Sequence, residues 1–228
     1  LDWFNHHIKK EENVSIKNVT NNYGVLVLAG PNSRKVFSQL TSQNLYNNDF
    51  PWLKGKEILI NKIPVRALRV NYIGELGWEL HHPMNQMESL YDAIYEVGKK
   101  ENIINFGTYA VNSLRMEKAY RGWGSELTGE ISLVESGMNR FFNLKKKNNF
   151  IGANALEKII QSGVDIKIVY LEVEVNDVDA RGNEPVYHNN KVVGIVTSGG
   201  YGFRAKKSLA FAYVKSDVAE ASNLEVEI

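Results

Sequence analysis

The chain has 228 residues, 43% of them hydrophobic and 23% charged, with a formal net charge of +1. That is enough sequence for a sizeable core in one large or two small domains, and so even a charge balance offers no field for nucleic acid or an anionic membrane. There is no cysteine, which excludes disulfides, thiol catalysis and cysteine-ligated metal, and apolar stretches such as Val25–Ala29 are far too short to span a bilayer.

The first segment, "LDWFNHHIKKEEN", puts Leu1, Phe4 and Ile8 at helical spacing. Residues 1–12 read as the end of a helix that begins elsewhere in a longer protein. "VSIKNVT" (14–20) and "YGVLVLAG" (23–30) read as strands, the second a near-continuous apolar run of the kind central strands carry. Pro31 opens a helix over 31–40 with Val36, Phe37 and Leu40 on one face. "KEILINKIPVRALRV" (56–70) predicts two strands around an Asn61–Lys62 turn. "NYIGELGWEL" (71–80) follows as a kinked strand in which Gly74 and Gly77 bracket Glu75. The spacing of Met87, Leu90, Ile94 and Val97 predicts a helix over 84–100, with Gly98 near its end. A second helix over 107–120 turns Ala110, Leu114 and Tyr120 inward, and a connecting helix spans 149–163.

From Ile166 onward only strands are predicted, with a hairpin at Asn189–Asn190. Their regular spacing suggests a small all-β barrel or jelly-roll-like domain over 166–228. Residues 13–125 make an α+β domain, an antiparallel sheet with flanking helices, and 126–165 connect the two.

Glu75 has two readings on the residues alone. It sits on a β-bulge and faces water, or it is a carboxylate held at a sheet end to accept two parallel N–H donors. Pterins and guanines present such a donor pair, and Tyr72, Trp78 and Trp123 are flat groups suited to sandwich such a ring. The pairs His6–His7 and His81–His82 alternate faces and lack a further ligand at coordinating distance, so no metal site is expected. "GGYG" and "RGWG" do not join a strand to a helix start, and "KKKNN" (145–149) reads as a solvated loop.

Four separated motifs, "LRVNYIGELGWEL", "NSLRMEKAYRGWG", "NFIGANALEK" and "VVGIVTSGGYGFRAKKSLAFAYV", occur in this order. Together they resemble the glycine cleavage T-protein family of folate-binding aminomethyltransferases, and most of all the C-terminal folate-binding region of dimethylglycine and sarcosine dehydrogenases. The resemblance implies a ferredoxin-like α+β folate-binding fold followed by the small barrel. It implies that Glu75, with Tyr72 before it, binds the pterin of tetrahydrofolate, and that Tyr120 and Trp123 line the same site; core packing is the alternative for Trp123. Ser113, Leu114, Arg115 and Glu117 match the helix motif. Arg115 is then a folate-tail contact or an ion-pair residue holding the helix, because a second arginine of the pattern is replaced by Val111. Glu135 and Gly137 persist in a loop where Leu133 replaces a proline.

The same resemblance places the catalytic aspartate upstream of residue 1, Asp2 not being its counterpart, and FAD in an upstream flavin domain. The implied function is one-carbon (aminomethyl) transfer from an N-methylated glycine to tetrahydrofolate, giving 5,10-methylenetetrahydrofolate, with this chain inactive alone. The expected partners are folate, the amine and the flavin domain, with neither nucleic acid nor membrane. The expected compartment is the cytoplasm, or the mitochondrial matrix in a eukaryote. The alternatives are a free-standing glycine cleavage T-protein and a non-catalytic folate-binding module.

Overall fold

The computed structural model of the protein describes residues 1–146 and 150–228, so the end of the "KKKNN" stretch and Asn149 lie outside the described residues. The chain divides into two compact units, Leu1–Asn105 and Phe106–Ile228.

The first unit contains α1 (Asp2–His7), β1 (Tyr23–Ala29), α2 (Ser33–Phe37), β2 (Gly55–Ile60), β3 (Ile63–Leu68), β4 (Gly77–Pro83) and α3 (Met87–Gly98). Its four strands form one antiparallel sheet in the order β1-β4-β3-β2. Period-2 alternation buries Ile58, Ile60, Val65, Ala67, Trp78 and Leu80 on one face. Val36 and Phe37 of α2 and Leu90 and Ile94 of α3 complete that core. The turn between β2 and β3 is the expected two-residue one, with left-handed Asn61 (φ 47°) and Lys62 (φ 69°).

Several expectations are corrected here. The apolar run of β1 marks an edge strand, not a central one, and Tyr23, Val25 and Val27 stay exposed on its outer face. Residues 14–20 form no strand: Asn18 Oδ1 accepts the Thr20 backbone N–H at 3.0 Å and starts a 3₁₀ turn, a local bond that competes with sheet pairing. The helix after Pro31 is a short one, Ser33–Phe37. The kinked strand begins only at Gly77, and 71–76 is a turn.

The second unit contains α4 (Thr108–Met116), α5 (Ala153–Ser162), β5 (Ile166–Val173), β6 (Pro185–His188), β7 (Lys191–Gly202), β8 (Lys207–Lys215) and β9 (Glu225–Val226). Its strands form a five-stranded antiparallel sheet in the order β5-β8-β7-β6-β9. The Asn189–Asn190 hairpin is present, both residues left-handed. β8 is buried from Ser208 to Val214. Ala210, Ala212 and Val214 pack with Val186 and Val196, while Leu209 and Phe211 pack with Met116 of α4. Among the described strands no pairing joins β5 to β9.

α4 belongs with this β-rich unit, whereas the sequence pattern grouped it with residues 13–125. The reason is polar: its side chains bond to the backbone and side chains of β7, as described below. Its inward residues also differ from expectation. Arg115 and Met116 are buried, Leu114 is half-buried and Ala110 is exposed. Among the described residues, no helix is long and apolar enough to cross a membrane.

Candidate functional site

In the first unit, the turn that carries Glu75 is built by its neighbours. Asn71 Oδ1 accepts the Ile73 N–H at 3.0 Å and its Nδ2 donates to the Glu75 carbonyl at 2.6 Å. Gly74 takes a left-handed φ of 69°, where a side chain would be strained. The Leu76 carbonyl accepts the Gly30 N–H at 2.8 Å and the Ser33 hydroxyl at 3.0 Å. Gly77 is required by close approach, since a Cβ there would meet the Ala29 Cβ at 2.8 Å. Both glycines around Glu75 thus have physical causes, and the carboxylate is mounted, half-buried, on a turn with a fixed backbone. Tyr72 on the same turn is exposed. An acceptor-only group so placed suits the paired N–H donors of a pterin edge.

Trp78 does not offer a ring face. It is fully buried and packs edge-on against Phe37 at 5.2 Å and Phe50 at 6.2 Å. The alternation of β4 turns it toward the core.

In the second unit, Arg115 is the centre of a buried network. Its Nε and Nη2 donate to Asn112 Oδ1 at 3.0 and 2.8 Å, and Nη2 also donates to Ser198 Oγ at 2.8 Å. Nη1 donates to the Tyr120 carbonyl at 2.9 Å and to Glu126 Oε2 at 3.0 Å. A guanidinium has five N–H donors, so these partners engage all of them. That geometry matches the ion-pair alternative for Arg115 and leaves no donor for a folate tail.

Glu126 is fully buried and equally well supplied. Beyond Arg115, Oε2 accepts the Gly122 N–H at 2.6 Å and the Ser125 hydroxyl at 3.1 Å. Oε1 accepts the hydroxyls of Thr197 at 2.7 Å and Ser198 at 2.5 Å. Burial pushes its pKa up, but the bonds from Ser198, Gly122 and Thr197 and the charge of Arg115 outweigh it and hold the carboxyl below the usual carboxylate range. Tyr213 donates to the Glu126 carbonyl at 2.8 Å, and burial pushes its phenol up.

The helix motif is therefore a lock between α4 and the β7–β8 hairpin. Asn112 Nδ2 donates to the Gly199 carbonyl at 3.2 Å and Ser113 donates to the Tyr201 carbonyl at 2.7 Å. Glu117 Oε1 accepts the N–H groups of Arg204 and Ala205 at 2.7 and 2.8 Å. Two of the four motifs noticed in the sequence are two sides of one contact. The loop with Leu133 in place of proline is closed reciprocally, Ser132 N–H to Glu135 Oε2 at 2.7 Å and Glu135 N–H to Ser132 Oγ at 3.2 Å.

Sequence reasoning missed Glu126. The signal was available: an arginine on the inward face of a helix needs a carboxylate within reach, and "GSEL" supplies the next one after the helix. Tyr120 gives its carbonyl to Arg115 and is half-buried. Trp123 is 82% exposed, so the core reading of it is wrong.

His81 pairs with Glu79 at 3.1 Å, and His82 is buried, its Nδ1–H donating to the Leu80 carbonyl at 2.8 Å. Among the described residues no histidine–carboxylate group of metal-binding size occurs. A cavity of about 860 Å³ in the second unit is lined by Glu172–Asp179, Tyr201 and Lys206–Ser208, and none of the predicted site residues lines it.

Comparison with known proteins gives two family matches. A model described as the GCVT N-terminal domain matches residues 1–146, and one described as the glycine cleavage T-protein C-terminal barrel domain matches 167–228. The chain is 46% identical over 222 residues to the mitochondrial dimethylglycine dehydrogenase of Homo sapiens, covering 97% of this chain and 26% of that protein. It is 34% identical over 192 residues to the mitochondrial sarcosine dehydrogenase of Mus musculus, covering 84% of this chain and 21% of that one. It therefore spans about a quarter of the length of these relatives. The crystal structure of glycine cleavage system aminomethyltransferase T from Bartonella henselae superposes with a TM-score of 0.77 at 23% identity, over 90% of this chain and 55% of that one, which shows a shared fold.

Proposed function

The chain belongs to the glycine cleavage T-protein family, and on that premise we propose that it is the tetrahydrofolate-binding, one-carbon transfer module of a protein like dimethylglycine or sarcosine dehydrogenase. The observation that carries the reading is the mounting of Glu75. A carboxylate, half-buried, projects from a turn whose two glycines and Asn71 fix the backbone around it. Its acceptors match the ring N–H and exocyclic amine of a pterin, and a preset carboxylate binds such a pair without first ordering itself. Tyr72 offers an exposed ring on the same turn.

In the longer protein, the one-carbon unit removed from the N-methylated amine would pass to bound tetrahydrofolate. The contribution of this chain is to hold and orient the folate so that capture outpaces water. The relatives just named are mitochondrial, and the same compartment is proposed for this protein in a eukaryote.

The direct test is a titration of the purified chain with tetrahydrofolate, read by intrinsic tryptophan fluorescence. Saturable binding that Glu75→Ala abolishes is the expected result. Binding unchanged by Glu75→Ala would return Glu75 to the reading of a bulge facing water.

A further inference from the structure

The cavity of about 860 Å³ lies within the second unit, and no residue assigned above to folate lines it. One wall is the segment Glu172–Asp179, in which acidic side chains alternate with Val173, Val175 and Val178. Both ends of that segment are fixed. Val173 pairs with Ser208 at the end of β5. Ala180 is fully buried, and its carbonyl lies so close to Gly199 that a Cβ there would meet it at 2.2 Å. The facing wall is the turn end of the β7–β8 hairpin, Tyr201 and Lys206–Ser208. α4 holds that end in place, because Ser113 donates to the Tyr201 carbonyl at 2.7 Å and Glu117 accepts the Arg204 and Ala205 N–H groups.

Two features of these walls call for a ligand. The first is a hydroxyl. Ser208 is 4% exposed, yet its Oγ has no hydrogen-bond partner among the described residues. Val173, Ser208 and Tyr201 sit directly opposite one another across β5, β8 and β7, so their side chains share one face, and all three line the cavity. A buried hydroxyl without a partner is costly, and this one is turned to a space that a donor group can enter.

The second feature is charge. Glu172 forms an ion pair with Lys207, which leaves Glu174, Asp177 and Asp179 against the single cation of Lys206. Among the described residues, none of these three carboxylates makes an ion pair or a hydrogen bond. Nor do acidic side chains and histidines converge anywhere among the described residues as metal ligands do. The negative charge is therefore spread along the wall and not gathered at a point.

We propose that this cavity binds a linear organic polyamine. Ammonium groups separated by methylene stems match carboxylates separated by valines, and the stems lie on Val173, Val175 and Val178. One ammonium donates to the Ser208 hydroxyl, which accepts it in place of the partner the fold does not supply. The Tyr201 ring adds a surface that attracts cations. A compact metal ion does not match this spacing, and a monoamine engages only one of the carboxylates. The site stands whether or not the chain binds folate.

The test is calorimetric titration of the full chain with spermidine, with methylamine and magnesium chloride as comparison probes at equal ionic strength. The expected result is saturable spermidine binding, tighter than that of either comparison probe by about tenfold or more. Asp179→Asn should weaken it by about tenfold. Glu225→Gln removes an equal charge from β9, outside the cavity, and should change it by less than about twofold. Ser208→Ala gives a separate reading. It should weaken spermidine binding without lowering the melting temperature, because the hydroxyl has no partner to lose in the free fold.

No saturation by spermidine, equal affinity for magnesium, or equal losses in Asp179→Asn and Glu225→Gln would reduce the walls to a diffuse attraction for cations and overturn the proposal. So would a Ser208→Ala protein that melts earlier or binds spermidine as the wild type does, since the hydroxyl would then be structural and not a ligand group.

Discussion

Two glutamates in this chain look alike as letters and differ in everything physical. Glu75 lies on a turn of the first unit, half-buried, on a backbone that its neighbours have fixed. Glu126 lies in the second unit with no exposure at all, and each of its oxygens is taken up within the unit. The first arrangement fixes the backbone that carries a half-buried carboxylate. The second consumes the carboxylate completely and uses it as a tie. Counting donors and acceptors shows Glu126 and Arg115 to be structural residues, their polar atoms engaged within the unit.

The largest expected effects test the structural side of that contrast. Glu126→Ala strands the Arg115 guanidinium in the interior, and removing one partner of a buried pair costs about 3–5 kcal/mol. Urea denaturation should show that loss. A change below about 1 kcal/mol would mean that the pair is not the tie described here. Trp78→Ala should be comparably severe in the first unit, about 3–5 kcal/mol, because Trp78 fills the core between Phe37 and Phe50. If Trp78→Ala left the denaturation midpoint in place and weakened only ligand binding, Trp78 would be a ring face after all.

A smaller effect concerns acid. In the fold the Glu126 carboxyl sits below its ordinary value of 4.5. The unfolded chain therefore takes up that proton first as pH falls. The stabilisation is fully present above the unfolded value and is lost as pH drops through the lower folded value. Wild type should lose more stability than Glu126→Gln between about pH 5 and pH 3. Parallel curves for the two proteins would show that the carboxyl is not depressed. The smallest expected effect is just past α4, at left-handed Ala119 (φ 52°): Ala119→Gly relieves left-handed strain and should stabilise by up to about 1 kcal/mol, offset by the lost methyl contact.

Much of the fold could be read directly. Strong alternation predicted β2, β3 and the Asn61–Lys62 turn, and three- and four-residue spacing predicted α3 with Leu90 and Ile94 inward. What failed had local causes. The apolar run of β1 implied burial on both faces, but burial on one face plus an edge position satisfies the same residues within this unit. Residues 14–20 have strand letters, yet Asn18 captures the Thr20 N–H and turns the chain. The allocation of α4 could not be read from period at all, because Asn112, Ser113, Arg115 and Glu117 join it to β7 and the turn that follows it through polar bonds to residues over 80 positions away. The candidate site was legible where glycine chemistry marked it, at Gly74 and Gly77. Glu126 was not, since a buried carboxylate leaves no pattern except the need of its partner.

The most direct test of the central contrast is calorimetric titration of tetrahydrofolate into wild type and Glu75→Gln, with the melting temperature of each measured alongside. Loss of a charge-assisted pair of bonds should weaken binding by roughly tenfold to over a hundredfold. The half-buried side chain should shift stability by less than about 1 kcal/mol. Equal affinities for the two proteins, or an affinity loss matched by a comparable loss of stability, would contradict the assignment of Glu75 as the ligand carboxylate.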